Sequence, residues 1–150
     1  MPFEEKITWV SAVVTVVVPI AYFTIVLGRL GDTSAADIAY QKPLLFAIGA
    51  SIVLTIIGAI LTGIGTGISA ELRGRSASDD IDRKDERDKR ISRHGDLIGL
   101  YVSSAGVVVA LALTMLKADY FWIANALYLA FVIGTLVGTT VKLVAYRRGF

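Results

Sequence analysis

Acidic and basic side chains with the potential for chemistry are concentrated in one segment near the middle of the chain. Sixteen of the 28 charged side chains lie between residues 71 and 96, eight of them acidic and eight basic. Carboxylates at this density are the oxygen ligands that a hard cation prefers. Lysine and arginine interleave with them, however, and the glycine and ligand spacing of a calcium loop are missing. We therefore expect no metal site in this segment.

Side chains for catalysis are equally scarce. His94 is the only histidine, and the chain contains no cysteine. A tetrahedral zinc site needs several nitrogen or sulfur ligands, so none is expected. No nucleophile is visible beside a base. We therefore predict a protein that is not an enzyme and that holds no metal or cofactor.

The same charged segment is better suited to contact with another protein. Acidic residues precede basic ones by four positions, as in Asp85–Lys89 and Glu86–Arg90. In a helix this order stabilises by roughly 0.2–0.5 kcal/mol per pair. We predict a charged helical extension that leads into the following apolar segment. A solvated helix without a partner is the alternative. The candidate residues for docking a cytosolic regulator or another membrane subunit are Asp82, Asp85, Glu86, Arg87, Asp88, Lys89, Arg90 and Ile91.

The elements that carry this segment are strongly apolar. Hydrophobic residues make up 55% of the chain, and the mean hydropathy is +0.66. Four stretches lack charged residues altogether: 7–28, 43–70, 97–116 and 120–141. Each reaches the length of about 18–20 apolar residues that spans a bilayer as a helix. We predict one all-α membrane domain, 1–150, a bundle of four transmembrane helices with a cytoplasmic loop at 71–96.

The distribution of lysine and arginine predicts the orientation of these spans. Twelve of the 15 basic residues fall on the side of the two termini and the central loop, and three fall on the other side. Cytoplasmic loops carry the excess of basic residues. We therefore place both termini and the loop in the cytoplasm, in a multi-pass protein of the cell inner (plasma) membrane. With the basic residues used in this way, no direct binding of nucleic acid is expected. An aromatic belt of Tyr120, Phe121 and Trp122 is predicted at the outer surface.

Small residues at four-residue spacing predict the faces on which the helices pack. Lipid tails are as apolar as leucine, so membrane helices associate through close backbone contact and through hydrogen bonds between helices. We assign the hydroxyls in the spans, such as Ser51, Thr55 and Ser104, and the amide of Asn125 to such hydrogen bonds. The ridge on the fourth helix serves either packing within one chain or the seam of a homo-oligomer. The candidate packing residues are Ala59, Gly63, Gly67, Gly99, Ser103, Ala126, Ala130, Gly134 and Gly138.

Four short segments resemble an uncharacterised family of small prokaryotic four-helix membrane proteins. They are FEEKxxW at 3–9, DRKDERDxxI at 82–91, FWIAN at 121–125 and AYRRGF at 145–150. The most distinctive is the Asp-Glu-Arg-Asp core at 85–88. The resemblance implies an integral membrane protein without assigned catalytic residues, often encoded beside small helix-turn-helix regulators. A regulatory or scaffold subunit fits that setting. An oligomeric small transporter or channel without membrane-embedded charges is the alternative function.

Overall fold

Four long α-helices make up most of the chain. The computed structural model describes residues 3–31, 33–71 and 86–148. The helices are α1 (Phe3–Leu27), α2 (Gln41–Glu71), α3 (Glu86–Met115) and α4 (Tyr120–Arg148), and a 3₁₀ turn at Gly28–Gly31 follows α1. Each of the four is long and apolar enough to cross a membrane. The prediction of an all-α protein with four candidate spans is therefore confirmed.

Two of the helices extend well beyond the charge-free stretches of the sequence. α3 begins at Glu86, eleven residues before the apolar run that starts at Leu97. α4 continues past residue 141 to Arg148. Acidic residues occupy the first turn of α3 and arginines the last turn of α4. Acidic side chains are stabilising at the N-terminus of a helix and basic ones at its C-terminus, so these residues favour helix formation outside the apolar runs.

The four helices form a bundle in which they lie side by side in a row. α1 packs against α2 and α4, and α4 packs against α3. Among the described residues, α2 and α3 share no extensive contact. The order across the row is therefore α2–α1–α4–α3, with α2 and α3 at its edges.

Neighbouring helices in the row run antiparallel, and contacts at its two ends show this. The Arg147 guanidinium near the end of α4 lies 5.5 Å from the ring centre of Trp9 near the start of α1. At the opposite end, Tyr22 of α1 meets Asn125 of α4. We call the first of these the charged end, where α1 and α3 begin and α2 and α4 finish. The other is the aromatic end.

The main core lies at the aromatic end. It joins α1, α2, α4 and the connection between α1 and α2, and its buried members are Tyr22, Val26, Ile38, Ala47, Phe121 and Tyr128. The predicted aromatic belt is therefore wrong for Phe121, which is 1% exposed, whereas Tyr120 and Trp122 are exposed. Phe121 packs edge-on against Tyr40, with 5.6 Å between ring centres. This contact closes the core beneath the α1–α2 connection.

Candidate functional site

The charged end of the row carries most of the described ionisable side chains. Here the first eleven residues of α3, Glu86 to Asp96, precede its apolar part. At 1.5 Å per residue they add about 16 Å of helix. A helix fixes the spacing of its side chains, so this segment presents its charges in a defined order along two faces.

The outward face of this segment holds exposed charges of both signs. Among the predicted docking residues, Glu86, Lys89 and Arg90 are exposed, and Asp88 is half-buried. Arg93 and His94 continue the exposed face. The expected helix-stabilising pair of Glu86 and Arg90 forms no ion pair in the part of the chain that the structure describes.

The inward face of the segment begins with Ile91. Ile91, Gly95 and Gly99 are four residues apart, and all three are buried. Their spacing places them in one line on the side of α3 that packs against α4. Ile91 is 5% exposed, so its side chain supports the helix from within and does not belong to the exposed docking face.

Some predicted docking residues are only partly covered by the structure. Asp82 and Asp85 lie outside the described residues, as does the part of the loop at 72–85. The backbone of Arg87 lies in the first turn of α3. The described docking face therefore consists of Glu86, Lys89 and Arg90, with Asp88 at its border.

An ion pair ties the foot of α3 to α4. Lys142 Nζ lies 2.7 Å from Asp96 Oδ1, and Ser92 Oγ donates to Asp96 Oδ2 at 3.3 Å. The Lys142 side chain is 20% exposed and that of Asp96 is 67% exposed. Water therefore reaches the carboxylate more easily than the ammonium group, which α4 and its neighbours partly enclose.

Beside this ion pair, α1, α3 and α4 enclose a groove of about 410 Å³. Its mouth is lined by Glu4, Asp96 and Lys142. Its walls carry apolar side chains and seven hydroxyl side chains, those of Thr8, Ser11, Ser92, Ser103, Thr135, Thr139 and Tyr146. A second hollow of about 470 Å³ adjoins it over α3 and shares Glu4, Ser92, Asp96 and Leu100 with it. We call the two hollows together the composite groove.

Several hydroxyl groups elsewhere in the helices donate within their own helix, whereas hydrogen bonds between helices were predicted for them. Ser51, Thr55 and Ser104 each donate to the carbonyl four residues earlier in their own helix, at 2.7–2.9 Å. Such local bonds satisfy a hydroxyl in an apolar setting without a partner helix. The expectation that these hydroxyls join helices to each other is therefore wrong for Thr55 and Ser104, whereas the Ser51 hydroxyl also lies close to Tyr128 of α4.

At the aromatic end, Asn125 makes the hydrogen bond between helices that the sequence predicted for it. The Tyr22 hydroxyl donates to Asn125 Oδ1 at 2.8 Å, and Asn125 Nδ2 donates to the Phe121 carbonyl at 2.8 Å. Tyr128 Oη is buried nearby, and no hydrogen bond of good geometry reaches it within the described residues. Its partner, Tyr22, was not predicted, because an apolar pattern does not show which residue of another helix lies opposite.

The small residues predicted on α3 and α4 lie at the interface between these two helices. Gly99 and Ser103 face Gly134, Gly138 faces Gly95 and Gly99, and Ala130 faces Gly106. A Cβ added to Gly138 would lie 2.8 Å from the Gly95 carbonyl oxygen. Ala126 is half-buried.

The ridge predicted on α2 has a different environment. Ala59, Gly63 and Gly67 are half-buried, and a Cβ added to Gly67 would meet no described atom within 4 Å. The close contact of α2 with α1 is made by Gly58, where an added Cβ would overlap the Val10 side chain. Gly58 was not predicted as a packing residue, because the four-residue spacing of small residues on α2 is met by Ala59, Gly63 and Gly67 instead.

Neither a metal site nor a known relative identifies a function for this chain. Within residues 3–31, 33–71 and 86–148, no three His, Asp or Glu side chains converge on a position for a metal ion. No protein-family model, curated protein or solved structure matches this chain. The family resemblance and the function that it implies therefore remain predictions from the sequence.

Proposed function

We propose that this chain is a multi-pass protein of the cell inner membrane with both termini in the cytoplasm. Four helices of sufficient length and apolarity support the membrane placement. Many large apolar side chains point away from the protein, including Ile20, Phe46, Leu61 and Val108. Exposed apolar surface of this extent is stable in lipid and not in water. The twelve-to-three distribution of basic residues supports the orientation.

Within that membrane the chain acts as a non-enzymatic regulatory or scaffold subunit. Its docking face for a cytosolic regulator or another membrane subunit is the outward side of α3, at Glu86, Lys89 and Arg90. The observation that supports this role is the exposure of these three charges on a helix that continues past its apolar part. Charges in a fixed arrangement contribute mainly to the specificity of binding and to the rate of association with a partner, and less to the affinity.

Charge reversal tests the docking face. The variant Glu86→Lys with Arg90→Glu keeps the net charge of the chain and reverses the pattern. We expect it to lose the partners that the wild type retains in affinity capture from native membranes after crosslinking. The matched control is Lys117→Glu, because Lys117 is exposed at the aromatic end. A partner set that stays the same in the reversed variant would discard this docking face.

The orientation has an independent test, which the absence of native cysteine makes direct. Single cysteines replace Lys89 at the charged end and Asp119 at the aromatic end. An impermeant maleimide applied to intact cells is expected to label Asp119→Cys and to leave Lys89→Cys unlabelled until the cells are opened. The reverse labelling would overturn the proposed orientation.

An oligomeric small transporter or channel is the second candidate function. The groove between α1, α3 and α4 favours it, because seven hydroxyl side chains line that groove together with apolar ones. Flux of small solutes into liposomes that contain the purified protein tests this role. Specific, saturable flux would favour a transporter over a docking subunit.

A further inference from the structure

The composite groove at the charged end combines three features that docking does not require. It has charges of both signs at its rim, apolar side chains along its walls, and hydroxyl groups between them. The two hollows, of about 410 and 470 Å³, fall in the usual range for small-molecule sites, roughly 300–1,000 Å³. The groove is thus large enough for an amphipathic ligand with a polar head.

The charges at the rim are balanced. Three carboxylates and three cationic groups line the two hollows: Glu4, Asp88, Asp96, Lys89, Arg93 and Lys142. An anionic headgroup would meet as many repulsive as attractive charges there. A zwitterionic headgroup places its own positive and negative groups beside opposite charges, so it fits this rim better.

The strongest positions for the two headgroup charges lie at the Asp96–Lys142 ion pair. Lys142 has three N–H donors, and one of them meets Asp96 Oδ1 at 2.7 Å. The other N–H groups of Lys142 can donate to a ligand. Because the ammonium group is mostly shielded from water, its attraction to an added anion is stronger than it would be in water. Asp96 is the more exposed partner, so its carboxylate is accessible to an ammonium group.

The walls continue from this rim into apolar surface. Leu97 and Leu100 of α3 line the hollow of about 470 Å³. Ile7 of α1 and Phe131 of α4 line the groove of about 410 Å³. Leu100 and Phe131 are each 61% exposed, so the apolar walls are open to the side. Asp96 is the last charged residue before the apolar part of α3. The rim therefore lies at the depth where lipid headgroups meet acyl chains.

We propose that the composite groove binds a zwitterionic phospholipid with a primary ammonium headgroup, of the phosphatidylethanolamine class. Lys142, with Arg93, receives the phosphate, and Asp96 receives the ammonium N–H groups. One acyl chain lies along Leu100 and Phe131. A choline headgroup has no N–H to donate, so it binds more weakly than ethanolamine at a carboxylate. This site depends on the membrane placement proposed above. It borders the docking face at Asp88 and Lys89, whereas Glu86 and Arg90 lie outside both hollows.

Lipid retention by the purified full-length protein tests this site. Native mass spectrometry from detergent compares phosphatidylethanolamine, phosphatidylcholine and phosphatidylglycerol with identical acyl chains. We expect the ethanolamine lipid to be retained about tenfold better than either of the others, the effect of charge-assisted hydrogen bonds to a headgroup. Equal retention of the three lipids, or preference for the anionic one, would overturn the proposal.

Two variants and a control locate the binding in the groove. Lys142→Gln with Asp96→Asn removes both charges of the ion pair while keeping similar side-chain volumes, and we expect the ethanolamine preference to disappear. Arg93→Gln changes an exposed residue, and we expect it to weaken the preference several-fold without affecting the fold. The control Arg148→Gln removes a charge at the same end but outside both hollows. An equal loss in the control would refute the site.

The same variants separate this site from the proposed docking function. Glu86→Lys with Arg90→Glu alters residues outside both hollows, so the lipid preference is expected to persist in it. If this variant keeps both the lipid preference and the wild-type set of partners, the docking proposal is rejected and the lipid site is not. Recovery of the chain from cells without detergent would instead reject the membrane placement on which both proposals depend.

Discussion

Gly99 on α3 and Gly134 on α4 bring the backbones of the two helices into direct contact. A Cβ added to Gly99 would lie 2.7 Å from the Gly134 carbonyl oxygen, and one added to Gly134 would lie 2.7 Å from the Gly99 carbonyl oxygen. This mutual approach permits Cα–H···O contacts between the helices. In the proposed membrane setting, where lipid supplies no hydrophobic force between helices, such close packing would hold α3 against α4.

Replacing Gly99 with alanine is expected to destabilise the protein. The added methyl group meets backbone atoms of α4, which cannot rotate away as a flexible side chain can. The helices must therefore separate, at a cost of about 1–3 kcal/mol. Unfolding by denaturing detergent, followed by the fluorescence of the two tryptophans, measures the difference in the free energy of unfolding.

Gly49→Ala is the matched control for that prediction. Gly49 lies inside α2, and a Cβ added there would meet no described atom within 4 Å. Alanine is a better helix former than glycine by roughly 0.5–1 kcal/mol. Stability is therefore expected to stay level or to rise. A loss of similar size in both variants would show that the Gly99–Gly134 contact has no special role.

The four helices were predictable from sequence because each charge-free run is long enough to span a bilayer. The helical state of residues 86–96 was predictable only in part. The acid-before-base spacing favoured helix there, but Glu86 and Arg90 form no ion pair among the described residues. The fit of acidic residues to the start of α3 provides a different source of stability.

The order of the helices in the row was not predictable from the sequence. A helix in lipid is apolar on all sides, so its pattern does not reveal which face meets a neighbour. Gly58 and Gly67 are both small residues of α2, yet only Gly58 lies against α1. Phe121 and Trp122 are both aromatic, yet only Phe121 is buried. These choices depend on which helix lies next to which.

Removing the hydrogen bond between Tyr22 and Asn125 is expected to weaken the contact between α1 and α4. Tyr22→Phe keeps the aromatic packing but leaves Asn125 Oδ1 without its donor in the buried core. Hydrogen bonds between membrane helices have average coupling energies of about 0.6 kcal/mol and a maximum of about 1.7 kcal/mol. A double-mutant cycle with Asn125→Leu is expected to give a coupling energy in this range.

The control for that cycle is Thr24→Val on the same helix. The Thr24 hydroxyl is exposed and donates to the Ile20 carbonyl of its own helix at 2.7 Å. Its loss is expected to change the free energy of unfolding by less than about 0.5 kcal/mol, as for other surface substitutions. A coupling energy near zero between Tyr22→Phe and Asn125→Leu would contradict the assigned role of their hydrogen bond.

The contact of Arg147 with Trp9 is expected to stabilise the charged end. A guanidinium over an indole ring at an exposed site contributes about 0.5–1 kcal/mol. We expect Arg147→Gln to lower the free energy of unfolding by this amount, and Arg148→Gln to change it much less. In a Trp9→Leu background the effect of Arg147→Gln should vanish. An undiminished effect there would attribute the stabilisation to the charge of Arg147 alone.

The turn between α3 and α4 offers a stabilising substitution at Lys117. Lys117 has a positive φ of 53°, and the Ala118 and Lys117 N–H groups donate to the Leu113 and Thr114 carbonyls. This is the helix-ending motif in which glycine is preferred, because a side chain in the left-handed region costs roughly 1–2 kcal/mol. Lys117→Gly is therefore expected to raise the free energy of unfolding by about 1 kcal/mol. Lys117→Ala removes the same charge but keeps the strained conformation, so an equal gain in both variants would assign the effect to the charge.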